Sequence, residues 1–401
     1  MIDPVAITGV GAVSPFGVGA RVLVDGVLAG ASGIVSGEGP CVDFRADDLM
    51  SRREYRRYAR FTQFAVTAAV EATTQAGWAE LPYDADEIFC AVGTGLGGVE
   101  WFGTAQGGPA DEPSALTVPL MMANGAAAAL CMRLGLRGES YAVGGACAAG
   151  AQAVGAGLRA LRSGQARAAV VGGAEAALVP RVRESFRAAG ALSETGRCLP
   201  FGADRDGFVM GEGAGVLVLE RLSNAVSRGA PVLGLILGYG ASSDAYHLTA
   251  SPPGAEPASI AIHRALADAG LRADDVCYVN AHGTGTKLND ENEIHALRRE
   301  FGERLAEVPV SSTKAATGHL FGAGGAVEAI LTVLALNQGL ALPTCGLTRP
   351  DPELGPLHLP RHAVAVPAGP RGRIALSNSF GFGGHNSVLA LAATPNGEMQ
   401  Q

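Results

Sequence analysis

Lysine is nearly missing from this 401-residue chain, standing only at 287 and 314 while Lys and Arg together number 30. An ammonium and a guanidinium fork differ in shape, so the two surviving lysines mark places where arginine fails to substitute. Paired cysteines are missing as well. Seven cysteines stand at 41, 90, 131, 147, 198, 277 and 345, an odd number with no CxxC spacing. That excludes a disulfide framework and the usual zinc signatures, and predicts reduced thiols in a cytoplasmic protein. No basic region precedes the first apolar run, Val5–Thr8, so no signal peptide is expected. No long uncharged apolar run occurs either. The stretch from Leu320 to Leu342 contains Glu328, Asn337 and Gln338 and predicts a buried helix instead of a membrane span. Positive charge is in deficit, with a net charge of −8, which argues against general nucleic-acid binding. Neither lysine follows the glycines of a phosphate-binding Walker loop.

What is present reads as an α/β protein. Strand-like runs (Val5–Thr8, Phe89–Val92, Ala168–Val171, Val216–Leu219, Val276–Val279, Ile374–Leu376) alternate with helical stretches at Phe61–Gly77, Ala148–Ser163, Ala258–Ala269 and Gly322–Leu336. A faint duplication is visible. A strand near Tyr141–Val143 leads through a tight loop with Cys147 into a small-residue helix. Val308–Ser311 leads through Lys314–His319 into another. The join is expected near residue 235, giving halves 1–235 and 236–401 whose loops meet at a shared crevice.

Cys147 lies in Val143-Gly-Gly-Ala-Cys-Ala-Ala-Gly150, where glycines permit a sharp turn and the following helix start favours a thiolate. A buried structural cysteine fits this segment equally well. His282, in Asn280-Ala-His-Gly-Thr-Gly-Thr286, and His319, five residues after Lys314, sit in Gly/Thr-rich turns at strand ends. Metal ligation by Cys147, His282 and His319 has no recognisable spacing. Gly93-Thr-Gly-Leu-Gly-Gly98 fits GxGxxG by letter, but no helix-forming segment follows it, so it is not read as a dinucleotide site.

Together, Gly-Ala-Cys147-Ala-Ala-Gly, Pro200–Gly215, Ser242–His247, Asn280–Thr286, Lys314–His319 and Gly381-Phe382-Gly-Gly resemble the β-ketoacyl synthase family of the thiolase superfamily. The resemblance covers nearly the whole chain. It implies a thiolase-like, duplicated five-layer α/β/α/β/α fold and decarboxylative condensation of an acyl group held on Cys147 with malonyl-acyl carrier protein. His282 and His319 would hold the malonyl thioester oxygen. Lys314 would set the electrostatics beside His319, and Glu328 would support that loop. Backbone N–H groups of Cys147 and Phe382 would form the oxyanion hole, with Phe382 also gating, and Thr284 and Thr286 would bond the pantetheine arm. It implies no cofactor, a dissociated (type II) fatty-acid or polyketide system, and a homodimer or a heterodimer with a chain-length-factor-like paralogue. Arg52, Arg53, Arg56, Arg57 and Arg60 would form one stripe if their segment were helical, and the resemblance makes Arg53, Arg56 and Arg57 the docking site for acyl carrier protein. Competing readings are a coenzyme A-dependent thiolase-like acyltransferase, a non-catalytic partner subunit and a cysteine hydrolase.

Overall fold

The computed structural model describes residues 3–101 and 115–394. Along the main path of the sheet, five strands of the described residues come from the first half: β1 (Val5–Ser14), β2 (Ile88–Gly93), β3 (Ser140–Val143), β4 (Ala168–Glu175) and β5 (Gly213–Arg221). Five come from the second: β6 (Gly234–Ser243), β7 (Tyr278–Asn280), β8 (Val310–Ser311), β9 (Ile374–Gly381) and β10 (His385–Ala392). They form one hydrogen-bonded path, β3-β2-β4-β5-β1-β6-β10-β9-β7-β8. Counted within each half, the strands stand in the same order, third-second-fourth-fifth-first. The orientations repeat too. The second strand pairs parallel with its neighbours on both sides, while the fourth, fifth and first pair antiparallel. The halves join through β1 and β6, where Val5–Ile7 pair antiparallel with Gly234–Ile236.

The helices follow the same duplication. α1 (Arg60–Gln75) and α2 (Gly125–Leu134) cover the outer face of the first half. After α3 (Ala149–Ser163) and α4 (Pro180–Ala188), α5 (Glu256–Asp268) and α6 (Lys287–Phe301) cover the outer face of the second. α3 and α7 (Gly324–Asn337) pack on each other between the two sheet halves. Every residue of α7 is buried, which explains the apolar run that reads like a membrane span. Among the described residues no helix is long and apolar enough to cross a membrane.

Close packing of first strand on outer helix fixes the glycines. A Cβ on Gly9 or Gly11 would sit 2.0 Å from a carbonyl oxygen of α1, and one on Gly240 would sit 2.0 Å from the Ala261 carbonyl of α5. Those glycines also hide β6 from sequence reading, because Gly-rich runs lack strand signature.

The arginine-rich segment departs from expectation. Ser51 caps a helix of only four residues, Arg52–Tyr55, with a reciprocal bond to Glu54. The chain then turns, and Ala59 is extended before α1 begins. Arg60 points inward, gripping Glu212 with two bonds (2.9 and 2.6 Å) and lying 4.7 Å above the Phe64 ring. The five arginines therefore do not form one helical stripe. Arg52, Arg53, Arg56 and Arg57 remain exposed.

Candidate active site

Cys147 stands in a tight helical turn, Ala146–Ala148, that leads directly into α3. Ala146, just before it, has φ 47°, a left-handed conformation that costs a residue with a Cβ roughly 1–2 kcal/mol. The end of β9 presses on this turn: a Cβ on Gly381 would lie 3.0 Å from the Cys147 nitrogen. The backbone N–H of Phe382 is thereby aimed at the Cys147 sulfur. The expected thiolate does not follow from the helix start. Burial pushes the thiol up to about 12, outweighing the Lys314 charge and the Phe382 N–H, which pull it down.

The second half supplies the imidazoles. His282 follows β7, and its turn is fixed from below by Glu293, which accepts from the His282 and Gly283 N–H groups at 2.8 and 2.7 Å. His319 lies 5.4 Å from it, ring centroid to ring centroid, with the planes nearly perpendicular. The Phe321 N–H donates to His319 Nδ1 at 3.3 Å, so the ring proton sits on Nε2. Burial and the Lys314 charge hold both histidines well below their usual range, hence neutral. Lys314 is buried, and its Nζ donates to Glu328 Oε1 and to the His282 carbonyl, each at 2.5 Å. Burial pushes Glu328 up while Lys314 opposes it.

Cys147, His282, His319, Thr284, Thr286 and Phe382 line a single cavity of about 270 Å³. Thr284 and Thr286 share a hydroxyl bond of 2.9 Å on its wall. The structure thus brings together six of the residues singled out in the sequence and sets Lys314 and Glu328 immediately behind them. Phe186, Phe208 and Phe321 also wall the cavity beside Cys147. They carry no polar signature, and although Phe208 lies within the Pro200–Gly215 motif, none of the three was singled out by the sequence. Asn386 and Asp244, bonded at 2.6 Å, lie on the same lining within segments whose motifs were already conspicuous. Arg53, Arg56 and Arg57 do not line this cavity.

Models of the β-ketoacyl synthase N-terminal and C-terminal domains match residues 41–225 and 233–348. The chain belongs to the β-ketoacyl synthase family. A Synechocystis protein named 3-oxoacyl-[acyl-carrier-protein] synthase 2 is 40% identical over 409 residues, covering 96% of this chain and 97% of that one. The solved ishigamide ketosynthase/chain length factor is similar at TM-score 0.90 and 32% identity, covering 98% of this chain and 100% of that one. A type II polyketide ketosynthase solved with its acyl-carrier protein and bound hexaketide is similar at TM-score 0.88 and 28% identity, with the same coverage. For this ketosynthase-family chain, the duplicated thiolase-like fold expected from the motifs is the fold found.

Proposed function

We propose that the protein condenses an acyl group with malonyl-acyl carrier protein, releasing CO₂ and a 3-oxoacyl product. The observation that carries this reading is the convergence of Cys147 from one half and His282 and His319 from the other on one cavity. Cys147 Sγ attacks the thioester carbonyl of the incoming acyl carrier. The carrier thiol leaves with the proton, and the acyl group stays on sulfur. A malonyl thioester then binds with its thioester oxygen toward His282 and His319. Loss of CO₂ leaves an enolate that neutral N–H donors stabilise, each worth about 3–4 kcal/mol at a developing oxyanion. The enolate carbon attacks the acyl carbonyl, whose oxygen takes charge in the N–H pair of Cys147 and Phe382. That attack forms the carbon–carbon bond; collapse of the oxyanion breaks the carbon–sulfur bond and expels the Cys147 thiolate, which takes up a proton from water to restore the thiol. The atoms balance with no cofactor.

Lys314 adds its charge to the burial that holds the two histidines neutral and ties the His282 loop to Glu328 on α7. In this reading Thr284 and Thr286, which line the cavity, bond the pantetheine arm. Phe382 supplies the N–H and, as a 39% exposed residue with its ring beside Phe186, a gate. Acyl carrier protein is the donor partner, docking at Arg53, Arg56 and Arg57. The second subunit is an identical copy or a chain-length-factor-like paralogue. Seven free cysteines support a reducing, cytoplasmic location. A thiolase would need a second active cysteine, but Cys345 is buried against Val27 and does not line the cavity.

The test is incubation with acyl- and malonyl-carrier proteins and mass-spectrometric readout. A carrier-bound 3-oxoacyl chain is the expected product. Free acid without condensation would make the protein a hydrolase instead.

A further inference from the structure

The turn that carries Cys147 is built twice. In the second half, Phe321–Ala323 form the same tight turn directly before α7, Phe321 has φ 46° where Ala146 has φ 47°, and Gly322 stands where Cys147 stands. The strand end facing each turn is duplicated as well. In the first copy, the end of β9 (Gly381) and Phe382 face the Cys147 turn. In the second, Glu175 at the end of β4 faces the Gly322 turn, and its Oε2 accepts from the Gly322 N–H at 3.1 Å. The counterpart of the proposed oxyanion site is therefore filled by the protein's own carboxylate.

Glu175 is completely buried and has no ion-pair partner among the described residues. Its other acceptor bonds come from the run that looked like a dinucleotide fingerprint: Thr94 Oγ1 at 3.0 Å, Gly95 N at 2.6 Å and Leu96 N at 3.2 Å. A glycine-rich loop that turns N–H groups toward one point is an anion nest, and here it holds the Glu175 carboxyl, which burial pushes up to about 7 while the loop's donors pull it down. The fit is tight: a Cβ on Gly95 would be 2.9 Å from Glu175 Oε2 and 3.8 Å from Ala146 Cα, and one on Gly322 would be 2.4 Å from the Gly95 nitrogen. The loop after β2, the Cys147 turn and the loop after His319 all touch here.

We infer that Glu175 is a positioning residue: a built-in anion occupying the pseudo-symmetric counterpart of the oxyanion site, which locks the Cys147 turn against the His319 loop. Glu175 touches no reacting atom in this scheme. It fixes the distance between the two half-sites. This rests on the condensing reaction proposed above.

The titratable groups around the thiol are Glu175, whose charge raises it, and Lys314, whose charge lowers it, with His282 and His319 on the same cavity. Glutamine at 175 removes a negative charge and turns an amide N–H₂ toward N–H donors. In Glu175→Gln, turnover should fall on the order of a hundredfold with KM changed by less than about threefold, because misplacement by an ångström costs that much. Iodoacetamide alkylation of Cys147, followed against pH without substrate, should shift to lower pH. In Glu175→Ala, formate should restore at least about tenfold of the lost turnover and raise the melting temperature, while formamide should not. Wild-type turnover in Glu175→Gln would overturn the inference. So would lost turnover with an unmoved alkylation profile and no formate rescue, the pattern of a residue needed only for folding. Should the wild-type enzyme not condense at all, the proposed reaction fails, while the alkylation shift and formate stabilisation still decide the role of Glu175.

Discussion

In the first half of the chain, β3 passes through Gly144 and Gly145 straight into the Cys147 turn. In the second, β8 passes into the corresponding Gly322 turn only after a longer segment, and that segment carries Lys314 and His319. The strand order, the left-handed residue before the turn and the buried helix after it are the same in both. Duplication thus conserves the scaffold that aims N–H groups at a point, while the insertion in one copy adds the Lys314 charge and the His319 imidazole, and the loop after β7 adds His282. In the proposed reaction one copy is the covalent station and the other the electrostatic one, where Glu175 takes the Gly322 N–H. The division predicts that damage to each half fails a different partial reaction.

The largest effect belongs to the nucleophile. Cys147→Ala should abolish acyl labelling and lower condensation by at least on the order of a thousandfold, since no other group at the cavity can hold the chain. Malonyl decarboxylation should persist, because its donors lie in the other half. Stoichiometric thioester formation at another cysteine would break the comparison. Next come His282→Ala and His319→Ala, each expected to slow decarboxylation about a hundred- to a thousandfold. Single-turnover acylation of Cys147 should stay within about tenfold of wild type, as that step uses the first half's donors. Unchanged condensation by His319→Ala would remove it from the scheme.

Lys314 tests the electrostatic half in another way. Lys314→Met leaves Glu328 buried without its cation, and breaking such a pair typically costs about 3–5 kcal/mol. Adding Glu328→Gln should recover part of that stability in thermal unfolding, because the uncompensated charge is gone. It should not recover activity, because the Lys314 ammonium that ties the His282 carbonyl to α7 is still missing. Equal activity in the single and double variants, with stability restored, is the expected result.

Much of this was legible in the sequence because the chemistry is local. Cys147, His282, Lys314 and His319 each sit in a short run whose residue types declare a turn, and the four expected helices fall within a few residues of their bounds, while the 15-residue helix Lys287–Phe301 was not expected. What escaped depends on distance. Glu175 looks like the polar end of an apolar strand until Gly95 and Gly322, about 80 and 147 residues away, are seen donating to it. Arg60 looks like part of a basic run until Glu212, 152 residues on, takes it inward. Strand β6 was missed because its glycines serve the helix packed on it, a tertiary demand that overrides local propensity.

The smallest expected effect concerns the surface of the two halves. The connection from β1 to α1 carries exposed Arg52, Arg53, Arg56 and Arg57, whereas the corresponding connection from β6 to α5, residues 244–255, carries no lysine or arginine. If carrier protein approaches from the nucleophile half, only the first connection should matter for use of carrier-bound substrate. Arg52 and Arg53 lie on the four-residue helix and Arg56 and Arg57 in the turn after it, so they form a loose cluster of separate charges instead of a rigid face. Exposed charges of this kind act mainly on association rate and are screened over roughly 8–10 Å at ordinary salt. Arg56→Glu with Arg57→Glu should therefore lower kcat/KM for carrier-bound acyl groups by about tenfold, leave reaction with a small acyl thioester within about twofold, and flatten the salt dependence seen in the wild type. Equal losses with both substrates would assign the cluster to folding. No loss with either would move the docking surface away from the first connection, and the contrast between the two halves would then be confined to the cavity.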